Sequence, residues 1–508
     1  MTSFSQHTLR RRVLLAAFSA ISVLFIVLPA HGGPDVAPLP RAKPPVPAPA
    51  TAPAPGQYHT GAVGWLVADL DSGSVLDSRE ADRPFAPASV AKLPTAFYAI
   101  DRLGPLYRFQ TRVLAAGSQS GGTLEGDLVL LGGGDPELDT DDLLPLVTEI
   151  QERGLRHVSG RFIVDGSNGP RAVAIDADQP PDAAYNPALS GLNLNFNRVR
   201  LKWDARKGTR EMRVSAKAQR LDPEVAGVQV ILASMPGTEM FTHRMEGRTE
   251  IWQMNEVGFR GKGARWLPVR RPEVYAGEVF QSLARDQEIS LLAADVDTAP
   301  SGGMEIARHQ SRPLRPMLKA MLRYSTNLTA EAAGFAASRK EGPHVRTLAD
   351  SLARMNAWAA RIGGFTVGDP GFQFANHSGL STASRVSPRR MVEVLRAAAL
   401  AQPAEGERRP RLPGGVLDLL GDYNVAAKSV KLDYKNLDVV AKTGTMDYVR
   451  GLGGYIATPS GRRLVFAIFS NDLENRGQNG RRADRRWMAQ ARDFERRLIR
   501  GWVKRLGG

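Results

Sequence analysis

The sequence predicts an α+β protein whose body of strands and helices is split along the chain by a long β-rich insertion. Three stretches carry that prediction. Near residue 61, Val63, Trp65 and Val67 alternate with smaller residues, Asp71-Ser72-Gly73 makes a turn, and 74–76 starts a return, the pattern of a β-hairpin. After Pro87-Ala88-Ser89 the period becomes helical, with Val90, Leu93, Ala96, Phe97 and Ile100 on one face. From about 106 to 300, short strand-like runs (128–131, 162–164, 192–201, 227–233) are broken by Gly, Pro and Asn turns.

The remaining elements follow in order. Helical stretches return at 272–285 and 313–338. Strand-like runs come at 439–445, 453–457 and 464–469, the last two joined by Pro459-Ser460-Gly461. A final helix carries Trp487, Ala491, Phe494, Leu498 and Trp502 at three- and four-residue spacing. That stripe is read as packing on a sheet. Its arginines leave an anionic membrane surface as the second reading.

At the other end, Arg10-Arg11-Arg12, a mostly apolar run at 13–30 and Ala30-His31-Gly32 read as an export signal over 1–32. Eighteen mostly apolar residues also just reach across a bilayer, so a retained signal anchor is the second reading of the same segment. The arginine run loosely resembles a twin-arginine leader, which leaves the export route open. Residues 33–57 form a Pro/Ala-rich linker, with nine prolines in 34–55, too extended to pack a core. The body is expected at 58–105 and 305–508 and the insertion at 106–304, with room for one unit nested in another at about 205–270.

Composition narrows the chemistry. At 508 residues, 43% hydrophobic and 23% charged, the chain is ordinary for a globular protein of several domains. Its 67 Lys+Arg against 52 Asp+Glu give +15. That excess suits an anionic partner, and export argues against nucleic acid. With no cysteine, thiol nucleophiles, disulfides and Cys-ligated metals are excluded. The 8 histidines show neither HxxxH nor HExxH spacing, so no metal site and no cofactor are expected.

Hydrolysis would then need an activated hydroxyl or a carboxylate pair, and no serine lies in a GxSxG elbow. Ser89 is followed by Lys92 one helical turn on, which puts both side chains on one face. A lysine serves as a base once burial or a second cation lowers its pKa. This is the single SxxK in the chain. Ser325-Thr326-Asn327 is the single SxN, and Lys442-Thr443-Gly444, in a strand-like run, the single KTG. Alone, each has a plain structural reading: a cap and a solvated charge, a core amide, a lysine guarding an edge strand. Three single occurrences in this order are far more specific.

SxxK, SxN and KTG together resemble the serine penicillin-recognising enzymes, and the wide gap between Ser89 and Ser325 resembles their D-alanyl-D-alanine carboxypeptidase/endopeptidase branch, class C low-molecular-mass penicillin-binding proteins of peptidase family S13. Gly132-Gly133-Gly134-Asp135-Pro136, Leu189-Ser190-Gly191-Leu192-Asn193, Ala330-Glu331 and Ser378-Gly379-Leu380-Ser381 extend the likeness over about 60–500. It implies a serine β-lactamase/transpeptidase-like domain with the insertion between SxxK and SxN. It also implies a periplasmic, serine-type carboxypeptidase acting on peptidoglycan stem peptides through an acyl-enzyme on Ser89, with cross-link endopeptidase activity left open. β-Lactam antibiotics would be covalent inhibitors, and the membrane a partner only through a retained anchor. Lys92 would be the base, Ser325 and Asn327 the facing pair, and Lys442 the second cation. Thr443, Gly444 and Thr445 would bind substrate, and the backbone N–H groups of Ser89 and Thr445 would form the oxyanion hole. A β-lactamase or esterase of the same fold, or a lapsed cell-wall-binding scaffold, is the alternative.

The chain departs from the family at Asn376 and Thr382, where the resemblance expects Asp and Arg. Arg385 is a candidate to replace the missing arginine. Asp165, in Val164-Asp165-Gly166-Ser167, is a candidate to reach the cleft from the insertion, although a turn aspartate bonding its own backbone is the plainer reading.

Overall fold

The structure, a computed structural model, describes residues 60–206, 210–237, 239–342, 344–401, 419–420, 438–478 and 480–506. The expected export signal and Pro/Ala-rich linker lie outside the described residues. Among those described, no helix is long and apolar enough to cross a membrane.

The hairpin read at the start of the body is present, as antiparallel strands Ala62–Asp69 and Val75–Arg79. Ala62–Asp69 also pairs along its full length with Arg463–Asn471, joining the two ends of the body in one sheet. That five-stranded antiparallel sheet runs Asp438–Met446, Val449–Ala457, Arg463–Asn471, Ala62–Asp69, Val75–Arg79. Its two faces are both covered. On one lies the final helix Arg481–Leu506, whose aromatic stripe packs inward as the spacing predicts: Phe494 sits 5.6 Å from Trp65 and Trp502 5.8 Å from Phe466. Burying each such ring is worth about 1.5–3 kcal/mol, which settles the stripe as core and leaves no apolar face for a membrane. On the other face lie the helices Lys92–Leu103, Leu314–Tyr324, Asn327–Lys340, Leu348–Gly363 and Pro388–Leu400 around a single core.

The 313–338 stretch expected as continuous helix is two helices. Ser325 takes a left-handed backbone (φ 59°) that ends the first, and extended Thr326 starts the second. A non-glycine residue in this region costs of order 1–3 kcal/mol. It sits in the SxN motif.

The insertion has its own core. Its main sheet includes Gln110–Ser120, Thr123–Leu131, Phe162–Asp165 and Met304–Gln310, backed by the helices Thr140–Glu152 and Pro272–Asp286. Two three-stranded sheets drawn from 198–268 pack into the same core. One expected strand is corrected. Over 192–201 only the end is strand, Arg198–Asp204, because Asn195, Phe196 and Asn197 are all left-handed. Asparagine side chains hold this coil: Asn197 accepts from Leu194 N–H at 3.0 Å and donates to Ala188 O at 2.9 Å. Alternating apolar residues mark burial there, not extension.

Candidate active site

Ser89 lies in the 3₁₀ turn Ala88–Ala91 that leads into the Lys92–Leu103 helix. Ala88, just before it, has φ 46°, and Gly379 approaches so closely that a Cβ there would sit 2.0 Å from Ala88 O. The turn that carries Ser89 is thus held in a strained backbone by its neighbours. The sheet closes on it from the other side: a Cβ on Gly444 would lie 2.5 Å from Pro87 O and 3.1 Å from Ser89 N. Only glycine in that strand position lets the KTG backbone come so near.

Lys92 is fully buried. Its Nζ lies 3.0 Å from Ser89 Oγ, 2.7 Å from Asn327 Oδ1 and 2.8 Å from Ser378 O. Burial, the most important cause, and the positive charge of Lys442 hold its pKa well below the ordinary lysine value, while Glu331 opposes them. A neutral amine has two N–H bonds and one lone pair. The amide oxygen and the carbonyl take the two N–H bonds, and the lone pair is left facing the serine hydroxyl.

Lys442, also buried, donates to Thr443 O at 2.9 Å. Its pKa is pushed down to about 7, first by burial and then by the charge of Arg450. Thr445 Oγ1 accepts from Arg450 Nη1 at 2.9 Å. The same guanidinium grips Glu495 of the final helix through Nε at 3.0 Å and Nη2 at 2.9 Å, a buried two-pronged pair. Thr445 and Arg450 face each other across neighbouring strands. Sequence reading missed Arg450 and Glu495, because 45 residues separate them and neither belongs to a motif. Glu331 stands out in the sequence only as part of the Ala330-Glu331 likeness. It is wholly buried, and its carboxylate accepts the N–H groups of His377 at 3.0 Å and Ser378 at 2.8 Å. This fixes the peptide whose carbonyl meets Lys92.

Ser89, Ser325, Asn327 and Thr445 line one cleft of about 990 Å³; buried Lys92 stands behind it, bonded to Ser89 and Asn327, and buried Lys442, close enough for its charge to act on Lys92, does not line it. A single loop of the insertion contributes Asp178, Gln179, Pro180 and Tyr185, and Asn327 Nδ2 donates to Tyr185 O at 2.9 Å. A neighbouring recess of about 720 Å³ shares these four residues and continues over Met240, Phe241 and Arg265. Among the described residues no group of three His, Asp or Glu side chains is placed to hold a metal ion.

Two expected contacts are corrected. Asp165 is not on the cleft. Its carboxylate accepts Ser167 N–H at 2.8 Å and Ala299 N–H at 2.7 Å, which makes it a loop anchor. Arg385 turns to its own chain, donating to the carbonyls of Thr382 and Ser384, and lines a separate recess. The arginine on the Thr382 side chain is Arg476, whose Nη1 donates to Thr382 Oγ1 at 3.2 Å and which lines the cleft. It comes from the turn after Asn471, 94 residues away, where no local pattern announces it.

The geometry can be set beside known proteins. The chain is 26% identical over 446 residues to the D-alanyl-D-alanine carboxypeptidase of Actinomadura sp. (strain R39), covering 81% of this chain and 78% of the relative. It is 24% identical over 458 residues to the D-alanyl-D-alanine carboxypeptidase DacB of Haemophilus influenzae, covering 82% and 87%. Its fold matches the crystal structure of penicillin binding protein 4 (dacB) from Haemophilus influenzae with a TM-score of 0.70 at 20% identity, over 88% of this chain and 98% of that one. Residues 53–491 match the D-Ala-D-Ala carboxypeptidase 3 (S13) family, most of the chain, and the protein belongs to that family of serine peptidases.

Proposed function

We propose that this chain removes the terminal D-alanine of peptidoglycan stem peptides through an acyl-enzyme on Ser89, with Lys92 as the general base. The observation that carries the assignment of roles is the surround of Lys92: two acceptors for its N–H bonds, at 2.7 and 2.8 Å, and the Ser89 hydroxyl at 3.0 Å. Ser89 Oγ attacks the penultimate D-alanine carbonyl as its proton passes to Lys92 Nζ. The C–N bond breaks, and the leaving amine of D-alanine takes a proton, for which Ser325 across the cleft is the relay. Water then attacks the ester and frees Ser89. The backbone N–H groups of Ser89 and Thr445 are the donors assigned to the carbonyl oxygen as it gains charge, a contribution typically of several kcal/mol.

Lys442 and the Thr445 hydroxyl are assigned to the terminal carboxylate, with Thr443 beside them. Thr445 Oγ1 already accepts from Arg450, which leaves its O–H to donate to substrate. A D-Ala-D-Ala end fills only a small part of the cleft and its neighbouring recess, which supports a polymer-borne substrate and keeps cross-link cleavage as the second activity. The place of work is then the exported, cell-wall compartment, the periplasm, and β-lactams acylate the same serine. Labelling with a fluorescent penicillin tests the reading. Wild type takes label that persists and releases D-alanine from a short acyl-D-Ala-D-Ala peptide, while Ser89→Ala takes none. Equal labelling of Ser89→Ala, or rapid turnover of the penicillin with no D-alanine release, sinks it, the second in favour of a β-lactamase.

A further inference from the structure

The final helix has two unlike faces. Its inner face is spent on the sheet. The outer face carries exposed Arg482, Arg485, Arg486, Arg492 and Lys504. At about 100° per residue these fall within an arc of roughly 120°, and at about 1.5 Å per residue they extend over ~33 Å. The acidic residues of the helix itself are engaged away from these five. Asp493 pairs with Arg496 at 3.0 Å, Asp484 accepts the Tyr448 N–H at 3.0 Å, and Glu495 is turned inward onto Arg450. Arg485 and Arg492 also line the cleft that holds Ser89 and Thr445, so the stripe runs into the candidate active site.

We infer that this face is a docking track for a carboxylate-bearing polymer, the stem peptides that neighbour the one in the cleft on the same peptidoglycan strand. The inference rests on the function proposed above, which makes such a strand the substrate. Charge complementarity and continuity with the cleft favour the polymer. A lipid surface is disfavoured because an interfacial helix needs a free apolar face, and Trp487, Phe494, Leu498 and Trp502 are all buried. Held along the helix, the strand stays near the cleft between cuts and is drawn in by a field that salt screens.

The test uses the triple variant Arg482→Glu, Arg486→Glu, Lys504→Glu, which leaves every cleft-lining residue in place. Release of D-alanine from a short acyl-D-Ala-D-Ala peptide stays within about twofold of wild type, while release from purified insoluble peptidoglycan at low salt falls about tenfold, in the range seen for steered association. High salt closes that gap. The charge-keeping variant Arg482→Lys, Arg486→Lys behaves as wild type. Equal rates on the polymer for wild type and the reversed variant overturn the inference, and so does an equal loss on both substrates. Salt-sensitive binding to phosphatidylglycerol vesicles with none to peptidoglycan also overturns it, in favour of a membrane. Cosedimentation of Ser89→Ala protein with peptidoglycan reads the track without catalysis, so a failure of the proposed reaction and a failure of the track are told apart.

Discussion

The body and the insertion both bury charged side chains, and they do so for different ends. In the body, Lys92 and Lys442 are buried within reach of each other's charge, and both are held below the ordinary lysine pKa. In the insertion, three buried carboxylates are occupied with backbone. Asp165 accepts two N–H groups, Glu250 accepts those of Arg270 and Arg271, and Asp141 accepts those of Arg220 and Leu221. A buried charge saturated by backbone donors ties a loop down. A buried charge left beside a like charge and an ionisable hydroxyl is in a poised state, and perturbed groups of that kind mark chemistry. The insertion brings one loop to the cleft, and none of its charged strand residues.

The largest expected effect tests the body. Lys92→Ala should slow acylation of Ser89 by about 10²–10⁴-fold, the range for losing a general base, measured as the rate of penicillin labelling. A rate near wild type would mean that the buried lysine is structural, and the contrast with the insertion would vanish.

Next comes pH. In the proposed reaction Lys92 is neutral when it acts and Lys442 is charged when it binds, so kcat/KM falls as pH drops through the lowered pKa of Lys92. It falls again as pH rises past about 7 in the free enzyme, where Lys442 loses its proton. Removing the Arg450 charge makes protonation of Lys442 easier and raises its pKa. The double variant Arg450→Gln, Glu495→Gln, which leaves no buried charge unpaired, should therefore move the alkaline limb upward. It should also raise KM more than it lowers kcat, because Thr445 loses its anchor. An unmoved limb would detach this pair from the site.

A smaller effect tests the insertion. Asp165→Ala should cost about 1–3 kcal/mol in denaturant unfolding, the price of two stranded N–H groups, with labelling of Ser89 within about twofold of wild type. A tenfold loss of labelling at unchanged stability would give this carboxylate a part in catalysis after all.

The mildest comparison is stability against pH. Burial holds His377, in the body, down at about 3 from 6.5, so the unfolded chain binds the extra proton. Its contribution is present above 6.5 and is lost as pH falls toward 3. Burial lifts Asp135, in the insertion, to about 7 from 3.8, so the folded chain binds the extra proton. Its contribution is present below 3.8 and is lost as pH rises toward 7. His377→Asn should flatten the first slope and Asp135→Asn the second, followed as melting temperature across the two windows. Slopes that stay unchanged would place the responsible groups elsewhere.

Much of this was legible along the chain. Ser89 and Lys92 lie one turn apart, so any helix beginning there brings them together. The hairpin, the strands around Lys442 and the final helix follow from periods of 2 and 3.6. Other features were hidden for definite reasons. The coil at 192–197 has buried leucines like a strand, and only its left-handed asparagines tell it apart. The break at Ser325 has no proline or glycine to signal it. Asp165 follows the plainer of its two readings, a turn carboxylate that accepts Ser167 N–H, and only the second N–H, from Ala299 134 residues on, was out of reach of the sequence. Arg476 stands where Arg385 was expected because a guanidinium near Thr382 can come from any part of the fold that passes there.

Local order along the chain therefore determined which groups exist and which of them are neighbours on a helix turn or a strand. Tertiary structure alone decided that Lys92 meets Asn327 and Ser378, that Lys442 comes close enough to repel its proton, and that Glu495 stands behind Arg450. The physical reason is that a pKa depends on burial and on distances between charges. Both arise only when segments hundreds of residues apart close around the same few atoms.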